Sequence, residues 1–210
     1  SFWAENYNKM MTKINENRPE NSFYFTESNA DAYIKSFDGY LTWMWVQNGE
    51  VPAFPAVYAG YTQMVGRCTL GKKKDDFEFF KYCTAKSLLY GQQIGWYKAD
   101  VIYKPKWLDF LKKFVQTRYK YKEYFLNSFM LRPPKIEGNL EVLKTSPAMH
   151  YTEEMHMPQL LSAAWQTKSG KKAVFLVNTA EEEGTYKIYF DETNFQEGII
   201  SPHEIKVWEI

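Results

Sequence analysis

Cysteine, charge of a single sign and long apolar runs are all scarce in this 210-residue chain, and each scarcity removes a class of protein. The two cysteines, Cys68 and Cys83, do not make a disulfide framework, and both are read as structural thiols, Cys83 within an apolar helical segment. No apolar run approaches the roughly 18 residues that cross a bilayer, and Ser1-Phe2-Trp3-Ala4-Glu5 lacks the charged lead and apolar stretch of a secretion signal. Twenty-six basic side chains offset 25 acidic ones, leaving a net charge of +1 with the signs interspersed, so there is no electrostatic footprint for nucleic acid or an anionic membrane. Lys72-Lys73-Lys74 runs straight into Asp75-Asp76 and reads as a solvated turn. Also missing are G-x-S-x-G, a phosphate-cradling glycine loop and a Cys/His nucleophile pair. His150-Tyr151-Thr152-Glu153-Glu154-Met155-His156 holds two histidines and two acids, but not in the helical H-E-x-x-H arrangement, and reads as a solvated loop before a metal site. No metal and no cofactor is called for.

What the chain has is aromatic side chains: 18% of residues, as 7 Trp, 16 Tyr and 15 Phe. They serve a core, or line a groove that stacks sugar rings, or both. With 45% apolar residues the chain builds one large or two modest globular domains.

The first half has an α/β rhythm. Trp3, Tyr7, Met10, Met11 and Ile14 share one side of a helical wheel that ends before Arg18-Pro19. Ser22-Phe23-Tyr24-Phe25 reads as a buried strand that stops at Thr26-Glu27, and Tyr40 to Val46 reads as a second, broken by Asn48-Gly49. Between them Ser28 or Asn29 caps a short helix. Residues 51–55 are expected to be extended, because each proline disfavours helix in its predecessor; residues 56–64 return to strand or helix. Asp75 or Asp76 caps a helix from Phe77 to Gly91, and the glycine-bracketed run 91–97 reads equally as a functional or a structural loop. The spacing of Trp107, Phe110, Phe114, Tyr121, Tyr124, Phe125 and Phe129 predicts one helix over 106–131 with a core-facing stripe.

After Arg132-Pro133-Pro134 the character changes. Residues 160–167, 172–178, 186–190 and 205–210 are short, rich in β-formers and separated by turn signals, which predicts an antiparallel sheet or small sandwich. The expected boundary lies near Gly138.

Chemistry is carried by carboxylates. Glu27 at a strand end, with Asp31, Asp38 and Glu50 on the following loops, offers the paired acids that glycosidic bond cleavage needs about 5–10 Å apart. A capping or salt-bridging role is the equal alternative for Glu27.

Thr26-Glu27, Ala30-Asp31, Phe37-Asp38-Gly39-Tyr40-Leu41, Val51-Pro52, Phe54, Tyr58, Gly66, Gly91-Gln92-Gln93-Ile94-Gly95-Trp96 and Met130-Leu131-Arg132-Pro133-Pro134 carry a resemblance that covers nearly the whole chain. It resembles the C-terminal part of a largely uncharacterised bacterial glycoside-hydrolase-like family, in which a TIM barrel, distantly similar to alpha-galactosidase-type hydrolases, precedes a β-sandwich. The resemblance implies a partial (β/α) barrel over residues 1–138 and an antiparallel β-sandwich over 139–210. It implies that Glu27 sits at the mouth of a late barrel strand and that Trp43, Trp45, Trp96 and Tyr97 lie near a sugar-sized cleft. A complete barrel takes about 200–250 residues, so the early strands and the partner carboxylate they would carry are absent here. The expectation is therefore a carbohydrate-directed chain, inactive alone, that self-associates or depends on a missing barrel half. A non-catalytic carbohydrate-binding or structural module is the alternative.

Overall fold

A computed structural model of the protein describes residues 2–27, 30–42, 51–66, 76–138, 142–145 and 155–210. Trp43, Trp45, Glu50, Cys68 and the stretch His150 to Glu154 lie outside the described residues.

The amphipathic N-terminal segment forms helix α1 (Phe2–Glu16), and β1 (Phe25–Glu27), β2 (Gly39–Leu41) and β3 (Gln63–Val65) follow as one parallel sheet in chain order. A single 3-10 turn, Asp31–Tyr33, stands between β1 and β2. Each strand has three residues, so the ladder is short: Phe25 pairs with Gly39 and Gly39 with Gln63, up to Glu27 with Leu41 and Leu41 with Val65. A fourth parallel contact joins Val65 to Gln93. β1 begins two residues later than the aromatic run suggests. Phe23 is 70% exposed, so this run is not a buried strand.

Two further expectations are corrected. The run 51–55 is not extended, because α2 (Ala53–Tyr58) takes in Pro55 as its third residue, in the first turn where a missing N–H costs no intrahelical bond. Residues 56–64 are both alternatives in turn, the end of α2 and then β3. The third helix, α3 (Phe77–Leu89), starts as expected, with Asp76 as N-cap accepting from the Phe79 N–H at 2.9 Å.

The helix expected over 106–131 is the second correction. Helix α4 (Pro105–Lys120) gives way to a 3-10 turn, Lys122–Tyr124, and Asn127 then adopts φ 56°. The next residues form β4 (Phe129–Leu131), paired antiparallel with the later strand β8. The aromatic periodicity runs on because Tyr124 and Phe125 fill the same core as Phe110 and Phe114, while strand pairing takes Met130 and Leu131 out of the helix.

The remaining strands are antiparallel: β5 (Lys135–Gly138), β6 (Val142–Thr145), β7 (Met155–Pro158), β8 (Leu160–Gln166), β9 (Lys172–Asn178), β10 (Gly184–Tyr189), β11 (Phe195–Ile200) and β12 (Ile205–Glu209). They make a four-stranded sheet ordered β12-β9-β8-β4, a three-stranded sheet ordered β11-β10-β5, and the pair β6-β7. Leu160, Ala164, Val174 and Leu176 of the first sheet meet Tyr186, Ile188 and Ile200 of the second in one apolar cluster. The opposite face of the four-stranded sheet, with Ala163, Trp165, Ala173, Phe175 and Val177, packs against α3 and α4 through Phe80, Leu88, Leu89, Phe110 and Phe114. Burial on both faces is why Ala173 to Val177 is an unbroken apolar run instead of an alternating one.

Candidate functional site at the carboxyl edge of the parallel strands

Alternation along a strand sends neighbouring side chains to opposite faces. Tyr40 is fully buried against Phe54 of α2 and against Phe37, which in turn meets Tyr7 of α1. Met64, its partner in register, is buried too. The Tyr40 face is thus the helix-covered one. Phe25, Glu27, Leu41 and Val65 have the opposite parity; Leu41 is buried there, whereas Glu27, the last residue of β1, is exposed. In parallel α/β sheets ligands bind beyond the carboxyl ends of the strands, so this is the edge where an acid can meet a substrate.

Backbone hydrogen bonds define the rest of the edge. Thr42 donates both its N–H and its hydroxyl to the Val65 carbonyl, at 2.9 and 3.0 Å. The Gly66 N–H donates to the Gln93 carbonyl at 2.8 Å, and the Gln93 N–H to the Met64 carbonyl at 2.7 Å. A side chain on Gly66 would meet Ser87 and come within 2.6 Å of Gln92 Oε1, so glycine here lets α3 close on the end of β3. Gln92 is buried, and among the described residues its Nε2 has no hydrogen-bond partner. Sequence reading gave Gln92 no role; only its place in the glycine-bracketed run 91–97 pointed at it.

Of the acids singled out in the sequence, Asp31 follows β1 at this same end, on the exposed 3-10 turn, with Oδ1 accepting from the Ala32 N–H at 2.7 Å. Asp38 is not brought to Glu27. It precedes β2, level with Tyr24, whose N–H it accepts at 2.9 Å, and it pairs with Arg18 at 2.8 Å. Three residues of strand separate that level from Glu27, about 10 Å along the sheet. Asp38 therefore ties the loop after α1 to the amino end of the sheet.

The aromatic candidates also part. Trp96 is 49% exposed, with φ 58°, three residues beyond the Gln93 bridge. Three interstrand spacings, about 14 Å, separate that bridge from β1. Tyr97 turns the other way, its ring 5.5 Å from that of Phe80 against the central core. Among the described residues no group of three or more His, Cys, Asp or Glu is gathered as a metal site would require, and no helix is long and apolar enough to cross a membrane.

The strongest electrostatics lie elsewhere. Lys81 of α3, fully buried, pairs with Glu78 at 2.8 Å and with Glu181, in the turn after β9, at 2.9 Å. Burial opposes ionisation of Glu181, but hydrogen bonds from Lys81 and Lys106 outweigh it and hold its pKa at about 2. His203, in the turn before β12, lies 3.1 Å from Glu181 and 3.5 Å from Lys81. Burial and the Lys81 charge keep its pKa below the usual histidine value despite Glu181. This cluster fastens the helices to the sheets and is structural.

A family model described as a domain of unknown function (DUF6259) matches residues 1–69. A Bacteroides thetaiotaomicron protein named "Putative glycoside hydrolase" is 27% identical over 197 residues, covering 87% of this chain and 27% of that protein. A Monosiga brevicollis protein named "Putative glycoside hydrolase 22789" is 24% identical over 198 residues, covering 80% of this chain and 16% of that protein. The chain thus spans about a quarter or less of the length of these curated relatives. These matches fit a glycoside-hydrolase-like family, to which the chain is similar at low identity.

Proposed function

We propose that this chain is the C-terminal part of a glycoside hydrolase that cleaves glycosidic bonds with two carboxylates and no cofactor, Glu27 being one of them, as acid/base or nucleophile. Residues 1–138 would be the late portion of a (β/α)8 barrel of the alpha-galactosidase-like kind, and residues 139–210 a β-sandwich whose sheets also recruit β4 and β5. The observation that supports this reading is the position of Glu27, exposed at the carboxyl end of a parallel strand and on the face opposite Tyr40. The chain-order pairing of β1, β2, β3 and Gln93 supports it, since barrels wind in sequence whereas doubly wound sheets reverse their order. Carbohydrate is the substrate class, and Trp96, with Trp43 and Trp45, the stacking surface. Asp31 is the acid beside Glu27 in sequence on this edge; the partner that shares the chemistry comes from barrel units beyond these residues. The open edge of β1 is covered by those units or, in the isolated chain, by self-association.

Glu27→Gln in the complete barrel tests the reading. Loss of one of two catalytic carboxylates is expected to lower kcat by about 10²–10⁴ with sugar affinity kept. Unchanged turnover in that variant would discard Glu27. The isolated 210-residue chain is expected to leave aryl glycosides intact at neutral pH; turnover that disappears with Glu27→Gln would show that it holds a complete site. A second reading, a non-catalytic carbohydrate-binding module, is favoured by the exposed Trp96 ring and the distance of Asp38 from Glu27. Under it no hydrolysis occurs in either variant, and Trp96→Ala, not Glu27→Gln, removes sugar affinity.

A further inference from the structure

Helix α3 ends on the four carbonyls that an α-helix leaves without intrahelical partners. Three are met by the chain that follows: the Tyr90 N–H donates to Lys86 O at 2.8 Å, the Gln92 N–H to Ser87 O at 2.9 Å and the Gly91 N–H to Leu88 O at 3.0 Å. With Gly91 at φ 68° this is the Schellman arrangement, a left-handed residue closing the last turn. The fourth, Leu89 O, is met from another sheet altogether, by the indole Nε1–H of Trp165 in β8, at 2.9 Å and fully buried. The same indole lies on Gly91, where an added Cβ would come within 2.7 Å of its ring. Trp165 is itself held edge-on by Phe125, their ring centres 5.6 Å apart.

Two residues after Gly91 the chain becomes the fourth parallel contact through Gln93, and three residues later it presents Trp96. The structure assigns to Trp165 the role of a positioning residue: an indole of the antiparallel sheets sets where the segment Gly91 to Trp96 meets the carboxyl edge. The physical reason is that, among the described residues, no other donor anchors Leu89 O. Without the indole N–H that carbonyl is buried and unpaired, and the left-handed turn loses the ring that caps it. The antiparallel sheets then act on a parallel-strand site that they do not line. The functional meaning of this assignment rests on reading that edge as the sugar site; the positioning itself does not.

The test replaces Trp165 in the 210-residue chain with β-(3-benzothienyl)alanine, which keeps the bicyclic shape and drops only the N–H, beside Trp165→Phe as the encoded variant. Amide hydrogen exchange is read residue by residue. Exchange at Gly91, Gln92 and Gln93, whose amides are hydrogen-bonded, is expected to rise about tenfold in the isostere, the loss of one buried hydrogen bond, while the amides of β9 from Val174 to Val177 keep their protection. Equal loosening of both segments, loosening of β9 alone, or no change would each overturn the assignment, since Trp165 would then be core filling only. Sugar titration followed by Trp96 fluorescence is a separate readout: a chain that binds no sugar but shows the selective exchange change would refute the site reading and leave the positioning role standing.

Discussion

The parallel-strand region and the antiparallel region are built from the same aromatic-rich composition, yet they use it in opposite ways. In the antiparallel part Trp165, Phe175, Leu176 and Ile188 are fully buried, and three strands of the four-stranded sheet, β8, β9 and β12, run five to seven residues and pack between a second sheet and two helices. In the parallel part the strands are three residues long, and Trp3, Phe23 and Tyr61 are 78%, 70% and 77% exposed. Along α1 only Met11 is buried; Trp3, Met10 and Ile14 are exposed although they share its apolar side, and Phe2 is exposed too. An apolar stripe costs folding free energy to expose, so a helix that carries one is a helix made to be covered. The difference teaches that the antiparallel part with α3 and α4 buries its apolar side chains in a core, whereas α1 and β1 leave several of theirs exposed.

The largest effect that would sharpen this contrast is core truncation. Phe175→Ala removes a fully buried ring that touches Tyr121, Tyr124 and Phe125, and is expected to lose about 3–5 kcal/mol in urea unfolding. Trp3→Ala, a larger deletion at an exposed position, should move stability by less than about 0.5 kcal/mol. Comparable losses in both variants would mean that α1 is packed as tightly as β9, and the contrast would fall.

Self-association comes next in size. The open edge of β1, with the exposed Phe23, Phe25 and Trp3, is expected to drive pairing of chains at tens of micromolar, seen in light scattering. Phe23→Lys combined with Trp3→Glu should return the monomer, with its melting temperature nearly unchanged. A wild-type chain that stays strictly monomeric and melts cooperatively would show that this region already has the cover it needs.

The legibility of the sequence follows the same division. β9 was readable to the residue because a run of β-formers buried on both faces has no competing reading, and Asp76 announced the start of α3. β11 went unseen: Gln196, Glu197 and Gly198 give it little apolar signal, and all of it but Ile200 is exposed, so it is held by pairing with β10 and by Ile200 in the apolar cluster. The end of α4 was hidden because aromatic residues satisfy a helical period and a shared core equally well. The place of Glu27 at the end of β1 could be read from the run of β-formers before it. That Asp38 would sit at the opposite end of the strands could not, because spacing gives no register; nor could Tyr97 be told from Trp96, since only packing decides which of two adjacent rings turns inward. The hydrogen bond from Trp165 to Leu89, across 76 positions of sequence, leaves no local trace at all.

The smallest of these effects concerns the join between the two regions. His203 is faced by Lys81 of α3, by Lys113 of α4 and by Glu181 from the turn after β9, with Phe77 and Phe110 edge-on to its ring; Lys81 also pairs with Glu78, and Glu181 with Lys106. Its pKa lies below the ordinary value because burial and the Lys81 charge disfavour the imidazolium, so the unfolded chain binds this proton more readily than the folded one. Stability is therefore full above the unfolded value of about 6.5 and declines as the pH falls through that value towards the lower folded one. Glu181 works in the same direction in a lower window: with its pKa held at about 2, its contribution is intact above the ordinary carboxylate range and is lost only in stronger acid. Melting temperature measured from pH 8 to pH 5 is expected to fall, and His203→Phe, which keeps a ring between Phe77 and Phe110, should flatten that slope while leaving the Glu181-dependent loss below pH 4 in place. A variant with the same slope as the wild type would move the acid sensitivity of the join away from His203.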